Sequence, residues 1–152
     1  MNKKFDENHY RKYTHLNKMG EKGVQIVLDY LKKEGYECDD VQKNHNEKGC
    51  DIIAHKNNKR YTIEVKTTQK SKGISDCYIS EFDSNDKFIP DFLYVVRLDD
   101  DFKLKKVEVL KKDEINSYEH KRIERIRVSS TLKTDLNNGI VGKTLDIEIQ
   151  NY

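Results

Sequence analysis

Apolar residues recur at helical spacing in one early stretch and at strand spacing through much of the remaining chain. Val24, Leu28 and Leu31 fall on one stripe with Glu21, which predicts a helix over 18–34 closed by Gly35. That stripe would turn Glu21 toward whatever the helix packs against. Residues 1–17 are polar, with Tyr10, Tyr13 and His15 interspersed, and are expected as an arm or short helix ahead of a single domain over 18–152. A first strand is expected over 36–41 and a loop over 42–49. The continuous apolar run of 92–96, after Pro90, reads as a buried strand, and 103–110 alternates like an edge strand. Ahead of both, Ser80 and Asp83 have the spacing of a helix N-cap and its N3 acid, which predicts a short helix there. A brief helix is expected at 113–115. Ile123, Ile126 and Val128, then Leu145, Ile147 and Ile149, suggest further strands near the C-terminal end. The pattern is that of an α/β protein.

Two runs in the middle of the chain carry the chemistry. Cys50-Asp51-Ile52-Ile53-Ala54 and Tyr61-Thr62-Ile63-Glu64-Val65 flank Lys56-Asn57-Asn58-Lys59, which predicts an antiparallel hairpin. Asn tolerates the positive φ of such turns. A loop centred between Asn57 and Asn58 pairs Ala54 with Tyr61, Ile53 with Thr62 and Asp51 with Glu64. Because strand side chains alternate, Glu64 and Lys66 share one face while Val65 points to the other. Two carboxylates facing each other cost up to about 1 kcal/mol, more when desolvated. A cation should lie between them. Lys66 supplies one charge, and a divalent ion on hard oxygen ligands would supply the rest. Mg²⁺ in such a place polarises a phosphate and activates a water, while a neighbouring ammonium offsets the charge of the transition state.

The order Glu21 on a helix, Asp51 at a strand start and Glu64-Val65-Lys66 on the next strand resembles the PD-(D/E)xK nuclease superfamily, closest to its Mrr-like and NO VEIN C-terminal-type branches. The resemblance covers about 18–110. Cys50 stands where the motif's name has proline. The resemblance implies a restriction-endonuclease-like mixed β-sheet core flanked by helices, here with additional C-terminal strands. It also implies an endonuclease hydrolysing phosphodiester bonds, DNA being the expected substrate, in restriction, repair or mobile-element defence. Asp51, Glu64 and the Val65 carbonyl would hold Mg²⁺, with Mn²⁺ able to substitute. Lys66 would stabilise charge and position water, and Glu21 would bind a second metal or hold Lys66. A homodimer or a targeting partner would suit so short a chain.

Composition narrows the setting. In 152 residues, 37% charged against 35% hydrophobic leaves a modest core under a densely charged surface. No apolar run approaches the length of a membrane span, and the start lacks the apolar stretch of a secretion signal, so a cytoplasmic protein without membrane contact is expected. Cys38, Cys50 and Cys77 have no zinc-like spacing and are expected as reduced thiols. Net charge is only +2, yet Lys56, Lys59, Arg60, Lys66, Lys70 and Lys72 cluster around Glu64. Such a stretch would attract nucleic acid in a salt-dependent way, although lysine-rich composition alone also gives a solvated basic surface.

Other candidates are open to two readings. Gln69 could orient water or phosphate, or sit exposed at a strand end. Thr68 could donate to a phosphate, or simply favour the strand. His45 could approach the scissile phosphate from its loop, or be solvated there. Tyr78 or Phe82 could stack on a base or pack in the core. No P-loop, GxSxG or CxxC occurs. The competing functional reading is a catalytically inactive domain of the same fold that binds nucleic acid or a protein, since fold alone does not fix activity.

Overall fold

In the computed structural model, residues 7–40, 50–70 and 81–118 are described, with 121–123, 126–128, 132, 135–136, 138–139, 141–147 and 152. Helix α1 spans Glu7–Lys33. It starts well before residue 18, so the expected arm is, from Glu7 onward, part of the same helix. Gly35 ends it at φ 90°, a left-handed cap open to glycine without a Cβ penalty. Lys56 Nζ donates to the Glu34 carbonyl at 2.6 Å and lies 4.9 Å from the centre of the Tyr36 ring, which ties the helix end to the hairpin tip.

Strands β1 (Glu37–Asp40), β2 (Ile52–Lys56), β3 (Lys59–Thr68), β4 (Phe92–Leu98) and β5 (Leu104–Lys111) follow, then α2 (Lys112–Asn116), β6 (Lys121–Ile123), β7 (Ile126–Val128) and β8 (Lys143–Thr144). The main sheet is six-stranded and mixed, in the order β1-β2-β3-β4-β5-β8, and β6 pairs with β7 separately. Among the described strands of the main sheet, only β3 and β4 run parallel. Parallel neighbours need a crossover, so the chain between residues 68 and 92 must leave the sheet and return. The architecture is α/β, with strands near the C-terminal end as expected. β5 is not an edge along its whole length, because β8 pairs outside it at Glu108 and Val109. No helix among the described residues is long and apolar enough to cross a membrane.

Alternation along the strands divides the core into two. Ile52, Ala54, Ile63, Val65, Tyr94, Val96, Leu104 and Val107 face α1 and meet its Met19, Val24, Val27, Leu28 and Leu31. Helix and sheet approach closely at Gly23, where a Cβ would stand 1.8 Å from Thr67 Oγ1. Burial of large aliphatic side chains, at about 1.5–3 kcal/mol each, is what fixes the helix on this face. On the opposite face Leu93, Val95 and Leu110 pack with Phe88, Ile115, Leu132, Leu136 and Val141. That second face also carries the polar residues of interest. Arg97 there pairs with Glu108, both nearly inaccessible, and donates from Nη1 to the Lys70 carbonyl at 3.0 Å, pinning the chain as it leaves β3.

The segment expected to open a helix at Ser80 and Asp83 forms a turn over 81–90 instead. Ser80 lies outside the described residues. The Asp83 carboxylate accepts from the backbone N–H groups of Asn85 and Lys87 at 2.8 and 3.0 Å, so its capping capacity is spent within a tight loop. Phe82 and Phe88 form an isolated antiparallel bridge with ring centroids 5.6 Å apart. Phe82 therefore serves packing, and Tyr78 lies outside the described residues. Pro90 and Asp91 then lead into β4, with the Asp91 carboxylate accepting from Thr62 N–H at 2.8 Å.

Candidate active site

The hairpin forms in the expected register. Ala54 pairs with Tyr61 and Ile53 with Thr62, and Asn57 and Asn58 take φ of 53° and 62°, the left-handed conformations of a two-residue turn whose twist suits the flanking strands. Asp51 departs from the simple ladder. It lies just before β2, and its N–H donates to the Ile63 carbonyl at 2.8 Å rather than pairing directly with Glu64. Its carboxylate then accepts from the Val65 N–H at 2.9 Å. One aspartate thus grips β3 at two backbone positions, Ile63 and Val65, just ahead of β2. The N–H and C=O of a strand residue point the same way, so the Val65 carbonyl is directed to the side that holds Asp51.

Asp51, Glu64 and Lys66 come together on the sheet face away from α1. The carboxyl groups of Asp51 and Glu64 are hydrogen-bonded to each other. Lys66 Nζ stands 3.3 Å from Glu64 Oε1 and 2.9 Å from Glu81 Oε1. Glu64 is only 6% exposed. Burial, then the charge of Asp51, push the Glu64 carboxyl up to about 9, and burial also raises Asp51 despite the Val65 N–H that favours its charged form. Burial and the mutual repulsion of the two acids both favour a proton retained on the pair. Burial alone would lower Lys66, but Glu64 and Glu81 outweigh it and its pKa is raised, so the amine stays cationic.

This donor set suits a hard divalent cation. Among the described residues no group of three or more His, Cys, Asp and Glu side chains is gathered to hold a metal. Mg²⁺ does not require one, because it binds through one or two carboxylates and completes its shell with water and phosphate oxygens. Asp51 and Glu64 provide two adjacent carboxyl groups and Val65 a main-chain oxygen. Two buried acids so close together leave a need for positive charge between them.

Other expected members are elsewhere. Glu21 is exposed and sits on the helix that packs against the opposite sheet face. The stripe of Val24, Leu28 and Leu31 is buried as expected, but Glu21 lies at its rim and turns outward. The Thr68 hydroxyl is fully buried and accepts from the Lys70 N–H at 3.0 Å, while Gln69 Nε2 donates to the Asp99 carbonyl at 3.1 Å in the β4–β5 turn. Both hold chain ends in place. His45 lies outside the described residues. Glu81 is the residue that sequence reasoning missed, because only the path of the crossover brings it to Lys66. The one available signal was the excess of acid over base on that face, which called for a further partner to the lysine.

No curated protein is similar enough to count as a match. The family described as Protein NO VEIN, C-terminal, does match, over residues 20–114. The matched span contains Asp51, Glu64, Lys66 and Glu81 and extends from the site-distal helix through β5 into α2. With well over half of its length covered, the chain belongs to the NO VEIN C-terminal domain family.

Proposed function

We propose that this chain is a metal-dependent nuclease of the PD-(D/E)xK type with a restriction-endonuclease-like core, hydrolysing phosphodiester bonds in DNA. The observation that carries the reading is the meeting of Asp51, Glu64 and Lys66 on one sheet face, with the buried Glu64 beside Asp51 and 3.3 Å from the Lys66 ammonium. A purely structural core would gain nothing from this. Buried carboxyls of like charge destabilise a fold unless something cationic joins them.

Asp51 and Glu64, with the Val65 carbonyl, would hold Mg²⁺ or Mn²⁺. Bound there, the ion supplies Lewis acidity toward a phosphate and a water. The chain does the rest. Asp51 is immobilised by two backbone contacts with β3, so its oxygens are presented without reorganisation. Glu64 would have to be ionised to serve as a ligand. Lys66 holds a positive charge beside the reacting phosphate, where the attack concentrates negative charge on the non-bridging oxygens, and can orient the water through its N–H groups. Lysine suits this position because a compact ammonium acts as a point charge.

Cleavage of labelled duplex, nicked, flap, junction and single-stranded DNA and RNA, with Mg²⁺, Mn²⁺ or EDTA, tests the reading. Divalent-dependent cleavage of at least one DNA substrate is expected, and Lys66→Ala should abolish it while leaving thermal stability and most nucleic-acid binding intact. Wild-type rates in that variant would refute the role given to Lys66. A wild-type chain that binds DNA but cuts none of the panel would instead favour a non-catalytic binding module.

A further inference from the structure

The pocket contains a third acid that the metal site does not need. Glu81 is 14% exposed at its side chain and stands closer to Lys66 Nζ than Glu64 does, 2.9 against 3.3 Å. It reaches Lys66 from the crossover rather than from the sheet. Its support is rigid. The Glu81 carbonyl accepts from the Ile89 N–H at 2.8 Å, the next residue bridges Phe88, and the Phe88 N–H donates at 2.9 Å to Asn116 Oδ1 in α2. Phe88 itself is 1% exposed. An exposed, free-swinging glutamate would hold a lysine loosely; this one is braced against the second core.

Lysine reaches the site on a stem of four methylenes and has many rotamers to lose. While Glu64 is free of metal, its carboxyl group at 3.3 Å and the Glu81 carboxylate at 2.9 Å both restrain the ammonium. A divalent cation on Glu64 would take up that carboxylate and repel the ammonium, leaving Lys66 drawn outward. We infer that Glu81 is the positioning residue for Lys66, keeping its ammonium in the pocket when Glu64 is occupied. This rests on the metal-dependent reading above and adds to it how the lysine survives beside the ion.

The experiment monitors hydrogen exchange at Lys66 Nζ by NMR with ¹⁵N-labelled lysine, in two settings. One is the wild-type chain saturated with Mg²⁺; the other is Glu64→Gln without metal, in which position 64 cannot ionise and offers Lys66 no counter-charge. In both, the Nζ signal should be protected, Glu81→Gln should keep most protection because its amide oxygen still accepts, and Glu81→Ala should speed exchange by about tenfold or more. Mg²⁺ affinity by calorimetry should change less than about threefold in either Glu81 variant, since Glu81 is not a ligand. Cleavage should fall in kcat, with KM little changed, in Glu81→Ala and be largely retained in Glu81→Gln. Protection that survives Glu81→Ala in the Glu64→Gln background overturns the inference, as does loss of Mg²⁺ binding in both Glu81 variants. Absence of Mg²⁺ binding or cleavage by the wild-type chain would overturn the nuclease reading alone, because the Glu64→Gln arm needs neither.

Discussion

Glu64→Gln should stabilise the metal-free protein at neutral and alkaline pH. Glu64 is raised from 4.5 to about 9, with burial as the largest cause. Between these values the folded chain binds a proton that the unfolded chain has lost, so stability declines as pH rises from about 4.5 through about 9. At pH 7 the gap from 4.5 is about 2.5 pH units, which at roughly 1.4 kcal/mol per unit sets an upper bound of about 3 kcal/mol. Sharing of the proton with Asp51 and the nearby Lys66 charge reduce this, and a gain of about 1–3 kcal/mol is expected for a neutral amide of the same shape. For a chain of this length that is a rise in Tm of about 2–10 °C. Thermal unfolding in EDTA from pH 5 to pH 9 reads it directly. The two curves should nearly coincide at pH 5 and diverge as pH rises, with the variant the more stable. Parallel curves, or a variant less stable than wild type at pH 8, would refute the placement of a destabilised acid at this position.

Three further substitutions test the packing and the site boundary. Gly23→Ala should cost about 2 kcal/mol, since its Cβ would meet Thr67 Oγ1 at 1.8 Å and Thr67 Cβ at 3.0 Å, and overpacking outweighs the gain in helix propensity. Gly20→Ala, with nothing within 4 Å of its Cβ, should gain up to about 1 kcal/mol; equal denaturation midpoints for the two would contradict the close approach of α1 and β3. Glu21→Ala should leave divalent-ion affinity and any cleavage within about twofold of wild type, because the side chain is exposed on the far side of the sheet. A large loss of either in that variant would return Glu21 to the site.

The features legible in the sequence were those set by local chemistry and strict periodicity. Two consecutive asparagines between alternating runs specified the turn, and the turn fixed which side chains faced together. Val24, Leu28 and Leu31 gave the helix and its buried face, and the apolar run after Pro90 gave β4. What escaped depended on contacts distant in sequence. Glu21 shares a helical stripe with apolar residues, but periodicity does not say where the buried arc ends, and a carboxylate at its rim gains more from water than from the core. Asp83 looks like a helix cap because the same carboxylate geometry serves helix starts and tight turns equally. The Asp51 backbone leaves the ladder one residue early, a detail set by its carboxylate bonding to Val65 N–H. Glu81 reaches Lys66 only through the crossover that a parallel β3–β4 pair demands, and nothing in its neighbours announced that path.

The most direct test of the central claim is calorimetric titration of the chain with Mg²⁺ and Mn²⁺ alongside Asp51→Asn and Glu64→Gln. The wild-type protein should bind a divalent ion saturably and release protons as it does so, because Glu64 must ionise to become a ligand. Either substitution should remove that binding without unfolding the protein. Binding that persists unchanged in both variants, or no binding by the wild-type chain, would contradict a metal site at these two acids.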